Sequence, residues 1–408
     1  MKSEVNQPVR VLFVNTRSAL GADVAVHLTL IKSFGGECET SLATNSKSVD
    51  LNRTLEQLKS VPGLRIDVIN LGYEQSKGGK AQKLIGVATN SLALLFGLIR
   101  LVYIVFSRRI EIIHSTDRPR DALVSTLLAR ITGRKNILHL HIKWDTHMGR
   151  ATKWAVEHCD AVLAISQFVR QSMLDGGIPD SKIYTALNAS DPVEFDPDKV
   201  AAGSFRKQLG LKEETPLIGI VARVMFWKGH KALIEAFAEV KKTIPDAVLA
   251  IIGKELGTFG DELRTRIKEL GLEDSVRWAG WFDDSAPIFA DLDVVCVPSW
   301  EEPFGLVVTE ALAMRRAVVG YASGALPEII SDGKEGQLVP PGDIPALAEA
   351  IRALLKDPQR RREYGYAGRE RVIRQFTPQR QAQEVADIYR QICRPGAVSA
   401  ERSSANAA

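Results

Sequence analysis

The sequence has few cysteines, and their spacing excludes several classes of protein. Four occur in 408 residues and no two form a C-x-x-C pair; they are Cys38, Cys159, Cys296 and Cys393. Zinc-binding domains and disulfide-bonded secreted domains need clustered or paired cysteines. The pattern therefore argues against both and predicts a reducing compartment, so that a cytoplasmic location is the expectation.

A strong charge of one sign is also missing. The formal net charge is +4 and the isoelectric point is about 8.8. This is too mild to indicate a nucleic-acid-binding protein, but it suits ligands that carry phosphate or an anionic membrane surface. At the amino end, the apolar run VLFVN is shorter than the core of a secretory signal peptide. At the other end, the small and polar residues of 395–408 predict a disordered tail.

No G-x-G-x-x-G motif follows an early apolar run, which disfavours a dinucleotide oxidoreductase. What the chain does have is an alternation of short apolar runs with longer amphipathic stretches, in two successive series. This alternation predicts α/β domains with parallel sheets covered by helices. We predict two doubly wound, Rossmann-like domains over 1–192 and 193–377, joined where Asp, Pro, Gly and Lys are frequent.

One long segment is almost entirely apolar. Leu84–Phe106 is interrupted by few polar residues, Arg100 among them, and cations flank it at Lys77, Lys80, Lys83, Arg108 and Arg109. It is long enough to span a bilayer, although Arg100 makes that costly. Three interpretations stay open: a packed crossover helix, a helix that also contacts a membrane surface, and a membrane span.

The strongest motif is Glu302-Pro-Phe-Gly-Leu-Val-Val-Thr-Glu310, directly after the apolar run VVCVPSW. A strand, a tight turn and a helix in this order place Gly305 and Leu306 at a helix N-terminus, where free N–H groups bind anions. Glu302 then lies at the mouth of the turn and Glu310 about one and a half turns into the helix. The two carboxylates can reach different parts of one ligand.

This motif, written P-S-x-x-E-P-F-G-L-x-x-x-E-A, resembles the signature of retaining glycosyltransferase family 4, the group 1 glycosyl transferases. The resemblance implies a GT-B fold, in which two Rossmann-like domains face a central cleft, and a final helix at about 378–392 that returns to the first domain. It implies that Glu302 faces the donor sugar and that Glu310 holds the nucleotide ribose. Phe304, Gly305 and Leu306 belong to the same donor-binding turn.

Other segments are similar to the family's. Ala222-Arg223 to Lys228-Gly229 resembles the G-R-x-x-x-x-K-G clamp, so that Arg223 and Lys228 are expected to bind the diphosphate and to act in catalysis. Gly253 and Trp278 match positions near the donor. Two residues of the first domain also match the family. Gly21 lies in the loop expected to face the donor phosphate, and His141 is expected at the carboxyl end of a strand and in contact with the sugar.

The resemblance implies transfer of a sugar from a UDP- or GDP-linked donor to a glycan or lipid-linked acceptor, with retention of anomeric configuration, in polysaccharide, lipopolysaccharide or glycolipid synthesis. No D-x-D motif stands where a metal would hold the diphosphate, so we expect no metal and no other cofactor. The alternatives are a sugar phosphorylase or nucleotide-sugar epimerase on the same scaffold, and a non-catalytic partner subunit.

Overall fold

The structure is a computed structural model that describes residues 7–16, 22–72 and 80–394. Its contacts divide the chain into two compact units, the first up to Leu187 and resuming at Pro378, the second from Asn188 to Thr377. The join falls five residues before the expected 192/193. Ser190 explains this difference, because its N–H donates to Phe376 O (3.0 Å) and its hydroxyl bonds to Thr309 Oγ1 (2.6 Å), both in the second unit.

The first unit is a seven-stranded parallel sheet in the order β3-β2-β1-β4-β5-β6-β7. Strands such as β1 and β6 are largely apolar runs because helices cover both faces of such a sheet. Its elements up to the join are β1 (Val9–Asn15), α1 (Ala22–Ser33), β2 (Cys38–Asn45), α2 (Leu51–Leu58), β3 (Arg65–Ile69), α3 (Lys80–Ser107), β4 (Ile112–Thr116), α4 (Pro119–Thr132), β5 (Lys135–Leu140), α5 (Arg150–His158), β6 (Ala161–Ala164), α6 (Gln167–Asp175) and β7 (Ile183–Thr185).

The second unit is a six-stranded parallel sheet in the order β10-β9-β8-β11-β12-β13. Its core is made of strand residues such as Ile218, Leu249 and Val294 and of apolar helix faces, all buried. Its elements are α7 (Ser204–Gln208), β8 (Leu217–Val221), α8 (His230–Lys241), β9 (Val248–Ile252), α9 (Phe259–Glu269), β10 (Val276–Gly280), α10 (Ala286–Asp291), β11 (Val294–Val297), α11 (Leu306–Ala313), β12 (Ala317–Tyr321), α12 (Leu326–Ile329), β13 (Gly336–Val339), α13 (Ile344–Lys356) and α14 (Pro358–Gln375).

The last helix, α15 (Pro378–Cys393), belongs to the first unit, where it packs on α1 and β1. Tyr389 is fully buried there, and its hydroxyl hydrogen-bonds to Nδ1 of His114 in β4 at 2.6 Å. Arg390 forms an ion pair with Glu37, just before β2. The chain therefore leaves the first unit at Leu187 and completes it with its final helix.

Candidate active site

The motifs of the second unit lie where its strand order reverses. β8 pairs with β9 on one side and with β11 on the other. The connections after β8 and β11 leave on different sides of such a sheet, and a ligand crevice forms between them at the carboxyl ends. Arg223 and Lys228 follow β8, and Glu302 follows β11. The sheet topology thus brings together two cations and a carboxylate from separate segments.

The turn between β11 and α11 presents the start of a helix to this edge. Gly305 precedes the helix with φ = +104°, a conformation that favours glycine. The Phe304 ring is 2% exposed and packs edge-on against Phe376, with ring centroids 5.9 Å apart. Phe304 therefore anchors the turn from within the core. Leu306 is the first helical residue, so the unpaired amide groups of its turn are available to an anion.

Lys228 and Glu302 form an ion pair across the crevice. Lys228 Nζ donates to Glu302 Oε2 at 2.6 Å, and both side chains are largely buried. The segments that carry them approach so closely that a Cβ on Gly229 would lie 1.9 Å from the carbonyl oxygen of Pro298. The Glu302 carbonyl also accepts from the Ala325 N–H at 2.9 Å. The pair is a preorganised polar group at the position where the sequence predicted the donor sugar and diphosphate.

Arg223 differs from Lys228 in being exposed, and it has no ion-pair partner among the residues that the structure describes. The residue before it lies against the end of β9, since a Cβ on Gly253 would be 1.9 Å from the Ala222 carbonyl oxygen. Gly253 itself has φ = +149°. The close approach fixes the backbone next to Arg223 while its guanidinium stays accessible.

Glu310 lies about one helical turn after Leu306 in α11 and is partly buried. Burial, and then the nearby carboxylate of Glu194, raise the pKa of Glu310 to about 7. The preceding Thr309 is fixed by its bonds to Ser190 Oγ (2.6 Å) and Leu306 O (2.9 Å). Because its pKa is about 7, the carboxyl group of Glu310 can change its charge near neutral pH. This suits a group that exchanges hydrogen bonds with a ligand.

Trp278 lies in β10, with its ring under the guanidinium of Arg264, whose Cζ is 4.2 Å from the ring centroid. The ring also packs against the core of the second unit. At the end of β10, the carbonyl oxygen of Gly280 accepts from the Gly253 N–H at 2.8 Å. A nucleobase that reached this end of the strand would contact backbone atoms.

In the first unit, His141 follows directly on β5, which ends at Leu140. It lies at the carboxyl edge of the sheet, and its Nε2 has no hydrogen-bond partner among the described residues. Its ring centroid is 4.3 Å from that of His139 and 5.6 Å from that of His27. Burial, followed by the charges of neighbouring histidines and Arg118, lowers the pKa of His141 well below its usual value. The ring is therefore neutral at physiological pH.

His141 is the outermost of four clustered histidines, of which the other three are His27, His114 and His139. His114 Nε2 is 3.4 Å from His139 Nδ1, and ligand atoms of these three lie within 4.8 Å of one another. Burial lowers the pKa of His27 to about 4 and those of His114 and His139 well below the ordinary value. Only His141 was predicted from the sequence as a site residue. His27 and His114 are distant along the chain and join the cluster only through the fold, whereas His139 is two residues from His141.

The loop after β1, which contains Gly21, lies outside the described residues, but its anchor at Thr16 is described. Asp121 Oδ1 accepts from the Thr16 N–H (2.7 Å) and hydroxyl (2.6 Å), and its Oδ2 accepts from Thr116 Oγ1 (2.8 Å). Asp117, next to this group, is buried, and burial raises its pKa to about 7 against the lowering effect of Arg118. Neither aspartate was predicted from the sequence as a site residue, although D-R-P-R-D directly follows β4 and was a usable signal.

Two family models match the chain. Glycosyl transferases group 1 matches residues 203–371, and Glycosyltransferase Family 4 matches residues 55–193. The two matches follow one another and correspond to the second and first units.

Curated relatives agree with these matches. The chain is 31% identical over 259 residues to the alpha-maltose-1-phosphate synthase of Mycolicibacterium smegmatis, which covers 58% of this chain and 65% of that protein. It is 29% identical over 297 residues to the alpha-D-kanosaminyltransferase of Streptomyces kanamyceticus, covering 68% of this chain and 76% of that protein. The chain thus spans slightly under two thirds of the length of the synthase.

Solved structures share the fold. HepE of Anabaena in complex with UDP has a TM-score of 0.75 at 21% identity, over 93% of this chain and 99% of HepE. A glycosyltransferase from Rickettsia africae has a TM-score of 0.77 at 20% identity, over 95% and 99% of the two chains. The fold and site define a two-domain GT-B protein with Rossmann-like domains. The chain belongs to glycosyltransferase family 4, the group 1 glycosyl transferases.

Proposed function

We propose that this protein is a retaining glycosyltransferase that moves a sugar from a UDP- or GDP-linked donor to an acceptor hydroxyl. The observation that carries the proposal is the group at the reversal point of the second sheet. Lys228 and Glu302 are paired at 2.6 Å, Arg223 follows the same strand as Lys228, and the N-terminus of α11 begins directly after Glu302's turn. Cations and free amide groups together suit a diphosphate.

In the proposed reaction, Arg223 and Lys228 stabilise the charge that develops on the leaving diphosphate. The acceptor oxygen forms a bond to the sugar C1 on the face from which the diphosphate oxygen departs. The bond between C1 and that oxygen breaks, its electron pair stays with the diphosphate, and the acceptor proton passes to a diphosphate oxygen. Retention follows because attack and departure use one face. No metal takes part in this scheme.

Glu302 and Glu310 have separate roles in the proposal. Glu302, held by Lys228, orients the hydroxyls of the donor sugar. Glu310, further along α11, accepts hydrogen bonds from the nucleotide ribose when its carboxyl group is ionised. The backbone at Gly253 and beside Trp278 contributes the remaining contacts of the second unit. For His141 of the first unit, the proposed role is a hydrogen bond from its neutral imidazole to the sugar.

We place the acceptor in polysaccharide, lipopolysaccharide or glycolipid synthesis and the protein in the cytoplasm. Relatives are named for different transfers: an alpha-maltose-1-phosphate synthase, an alpha-D-kanosaminyltransferase and, in Mycolicibacterium smegmatis, a GDP-mannose-dependent phosphatidylinositol monomannoside mannosyltransferase. The last of these names a glycolipid acceptor, which supports a glycolipid or glycan acceptor for this chain. The four cysteines are all unpaired, which supports a reducing compartment.

Two measurements test the proposal, first donor binding and then turnover. A thermal-shift panel of UDP- and GDP-sugars identifies the donor, because a ligand that binds the folded state raises the melting temperature. Release of the nucleoside diphosphate is then measured with candidate acceptors, with phosphate alone, and with neither. We expect release that requires an acceptor hydroxyl and that Arg223→Ala reduces strongly. Formation of a sugar 1-phosphate that requires free phosphate, or of an epimerised donor without acceptor, would refute transfer.

A further inference from the structure

Helix α3 has two apolar faces, and the fold uses one of them. On its inner face, Leu101, Ile104 and Val105 are at most 1% exposed and pack into a core cluster with strand residues of the first sheet. Asp67 in β3 binds Arg108 Nη2 at 2.6 Å and lies 3.7 Å from Arg100 Nη2. The segment is therefore a packed crossover helix between β3 and β4.

The outer face of α3 is exposed from residue 92 to residue 106. Its apolar side chains, with their exposed fractions, are Leu92 (56%), Leu95 (53%), Phe96 (67%), Ile99 (58%), Tyr103 (61%) and Phe106 (53%). Their spacing of three or four residues places them in one stripe about 100° wide and about 21 Å long. Single exposed apolar residues are ordinary, whereas a contiguous stripe of this kind marks an interaction surface.

The neighbouring helix α4 widens this stripe. Leu127 and Ile131 of α4 are 37% and 58% exposed, and α4 packs beside α3. The guanidinium of Arg134 lies 5.7 Å from the ring centroid of Phe106, at the same end of the two helices. We call the stripe and these α4 residues the outer face.

The two segments that carry the outer face contain charged residues of one sign, although Arg108 is paired with Asp67 and Lys135 with Asp160. Residues 90–109 contain three arginines and no acidic residue, and residues 122–135 contain Arg130, Arg134 and Lys135 and again no acidic residue. Arg109 and Arg130 are exposed. Apolar side chains bordered by cations are the composition that holds a helix in the interface of an anionic bilayer. A protein partner would have to match this charge with acids.

We propose that the outer face docks on an anionic lipid bilayer, with its apolar side chains in the boundary between headgroups and acyl chains. The helix lies in the plane of the surface. By length and composition, Asn90–Ser107 could cross a membrane, and only 22% of it is buried. However, a spanning helix is surrounded by lipid, whereas the inner face of α3 packs on the sheet. This proposal goes beyond the transfer reaction and does not depend on it.

Co-sedimentation of the full chain with vesicles tests the docking without any substrate. Vesicles of phosphatidylcholine alone are compared with vesicles containing about one third phosphatidylglycerol, at low and high salt. We expect binding to the anionic vesicles that weakens with salt. The double variant Phe96→Glu and Ile99→Glu is expected to bind at least tenfold less. The matched control is Ile373→Glu, a residue of α14 in the second unit that is 51% exposed, and it is expected to bind like the wild type.

Two further measurements make every outcome decisive. Circular dichroism and the melting temperature show that the double variant is folded; if it is not, Arg130→Glu replaces it, with the expectation of weaker binding to anionic vesicles and unchanged stability. Sedimentation velocity reports a second copy as the occupant. Absence of vesicle binding at low salt, equal binding by wild type and variants, or a dimer that the double variant dissociates without vesicle binding would each overturn the proposal.

Discussion

Glu302 and Glu310 are separated by one short helix segment, yet their surroundings differ. Glu302 is held by Lys228 at 2.6 Å, whereas burial and Glu194 raise the pKa of Glu310 to about 7. Glu302 is therefore held in place by a cation before any ligand arrives. Glu310 is poised between its two protonation states, and a ligand that donates hydrogen bonds to it favours the ionised state.

We predict that Glu310→Gln weakens nucleotide binding roughly tenfold to a hundredfold, the range for a hydrogen bond to a charged group. Glu302→Gln should instead lower turnover with little change in affinity. In the wild type, affinity should rise as pH increases through about 7, because Glu310 then ionises. Calorimetric titration with UDP and GDP between pH 6 and 8, alongside initial rates, measures both effects. The same affinity in wild type and Glu310→Gln would remove the ribose role.

Substitutions of Arg223 and Lys228 can separate an effect on turnover from an effect on stability. We predict that Arg223→Ala and Lys228→Ala each reduce kcat on the order of a hundredfold or more, since each removes a fixed charge that faces the leaving group. Only Lys228→Ala should also lower the melting temperature, because it leaves the buried Glu302 carboxylate without its partner. Thermal unfolding and single-turnover rates distinguish these effects, and Lys228→Ala with Glu302→Gln should recover part of the stability. Unchanged turnover in both single variants contradicts the diphosphate role.

At the level of elements, α1, β4, β5 and α15 meet around the four histidines. Tyr389 of α15 binds His114 Nδ1 at 2.6 Å, and the Phe13 ring stacks on His114 with centroids 4.8 Å apart. This packing keeps the rings out of water, which is why burial lowers their pKa values. Through Tyr389, the last helix of the chain is therefore part of the packing that lowers the pKa values of these histidines.

We predict that the first unit loses stability in mild acid. Below a pH of about 6.5 the unfolded chain binds protons on these histidines, whereas folded His27 does so only below about 4. The four histidines should thus lower the free energy of unfolding as pH decreases from 6.5 to 4. Asp117 opposes this change, because its raised pKa of about 7 makes the folded state take up a proton over the same range. His27 alone contributes roughly 3 kcal/mol of this loss, at about 1.4 kcal/mol for each pKa unit. Hydrogen exchange followed by peptides of each unit measures the loss, and His27→Leu is expected to reduce it. Equal protection of the first unit at pH 7 and pH 4.5 would be the contrary result.

Elements with a strong local pattern could be predicted from sequence, and those stabilised by distant partners could not. The apolar runs at β1 (VLFVN) and β11 (VVCV) are strong local patterns of this kind. β2 was missed because CETSLATN is polar, although most of it is buried. Its Asn45 side chain donates to Thr16 O (2.9 Å) and Gly72 O (2.8 Å), so its burial depends on two other segments.

The same distinction holds for the site as a whole. Residues 223–228 and 302–310 are short contiguous motifs, and a sequence displays them directly. The Lys228–Glu302 pair joins residues 74 positions apart, and the Tyr389–His114 bond joins residues 275 positions apart. Such pairs require the strand order, which composition and periodicity do not specify.

For the whole molecule, the remaining prediction concerns metal. Asp291-Leu292-Asp293 has the D-x-D spelling of a metal-binding motif. Both carboxylates are occupied: Asp291 accepts from the N–H groups of Gly203 and Arg206, and Asp293 accepts from Arg206 Nη2 (2.9 Å) and the Leu217 N–H (2.8 Å). They also precede β11, whereas the donor motif follows it, about 13 Å away along the strand.

We therefore predict that kcat/KM is unchanged in excess EDTA, because Arg223, Lys228 and the start of α11 supply the charge that a metal would otherwise bring to the diphosphate. Rates are measured after prolonged chelation and again after magnesium or manganese is added. The melting temperature is followed in parallel, since His27, His114 and His139 could bind an ion within the first unit. A chelator effect on melting alone would indicate a structural ion there. Loss of activity that magnesium or manganese restores would show that the reaction itself requires a metal.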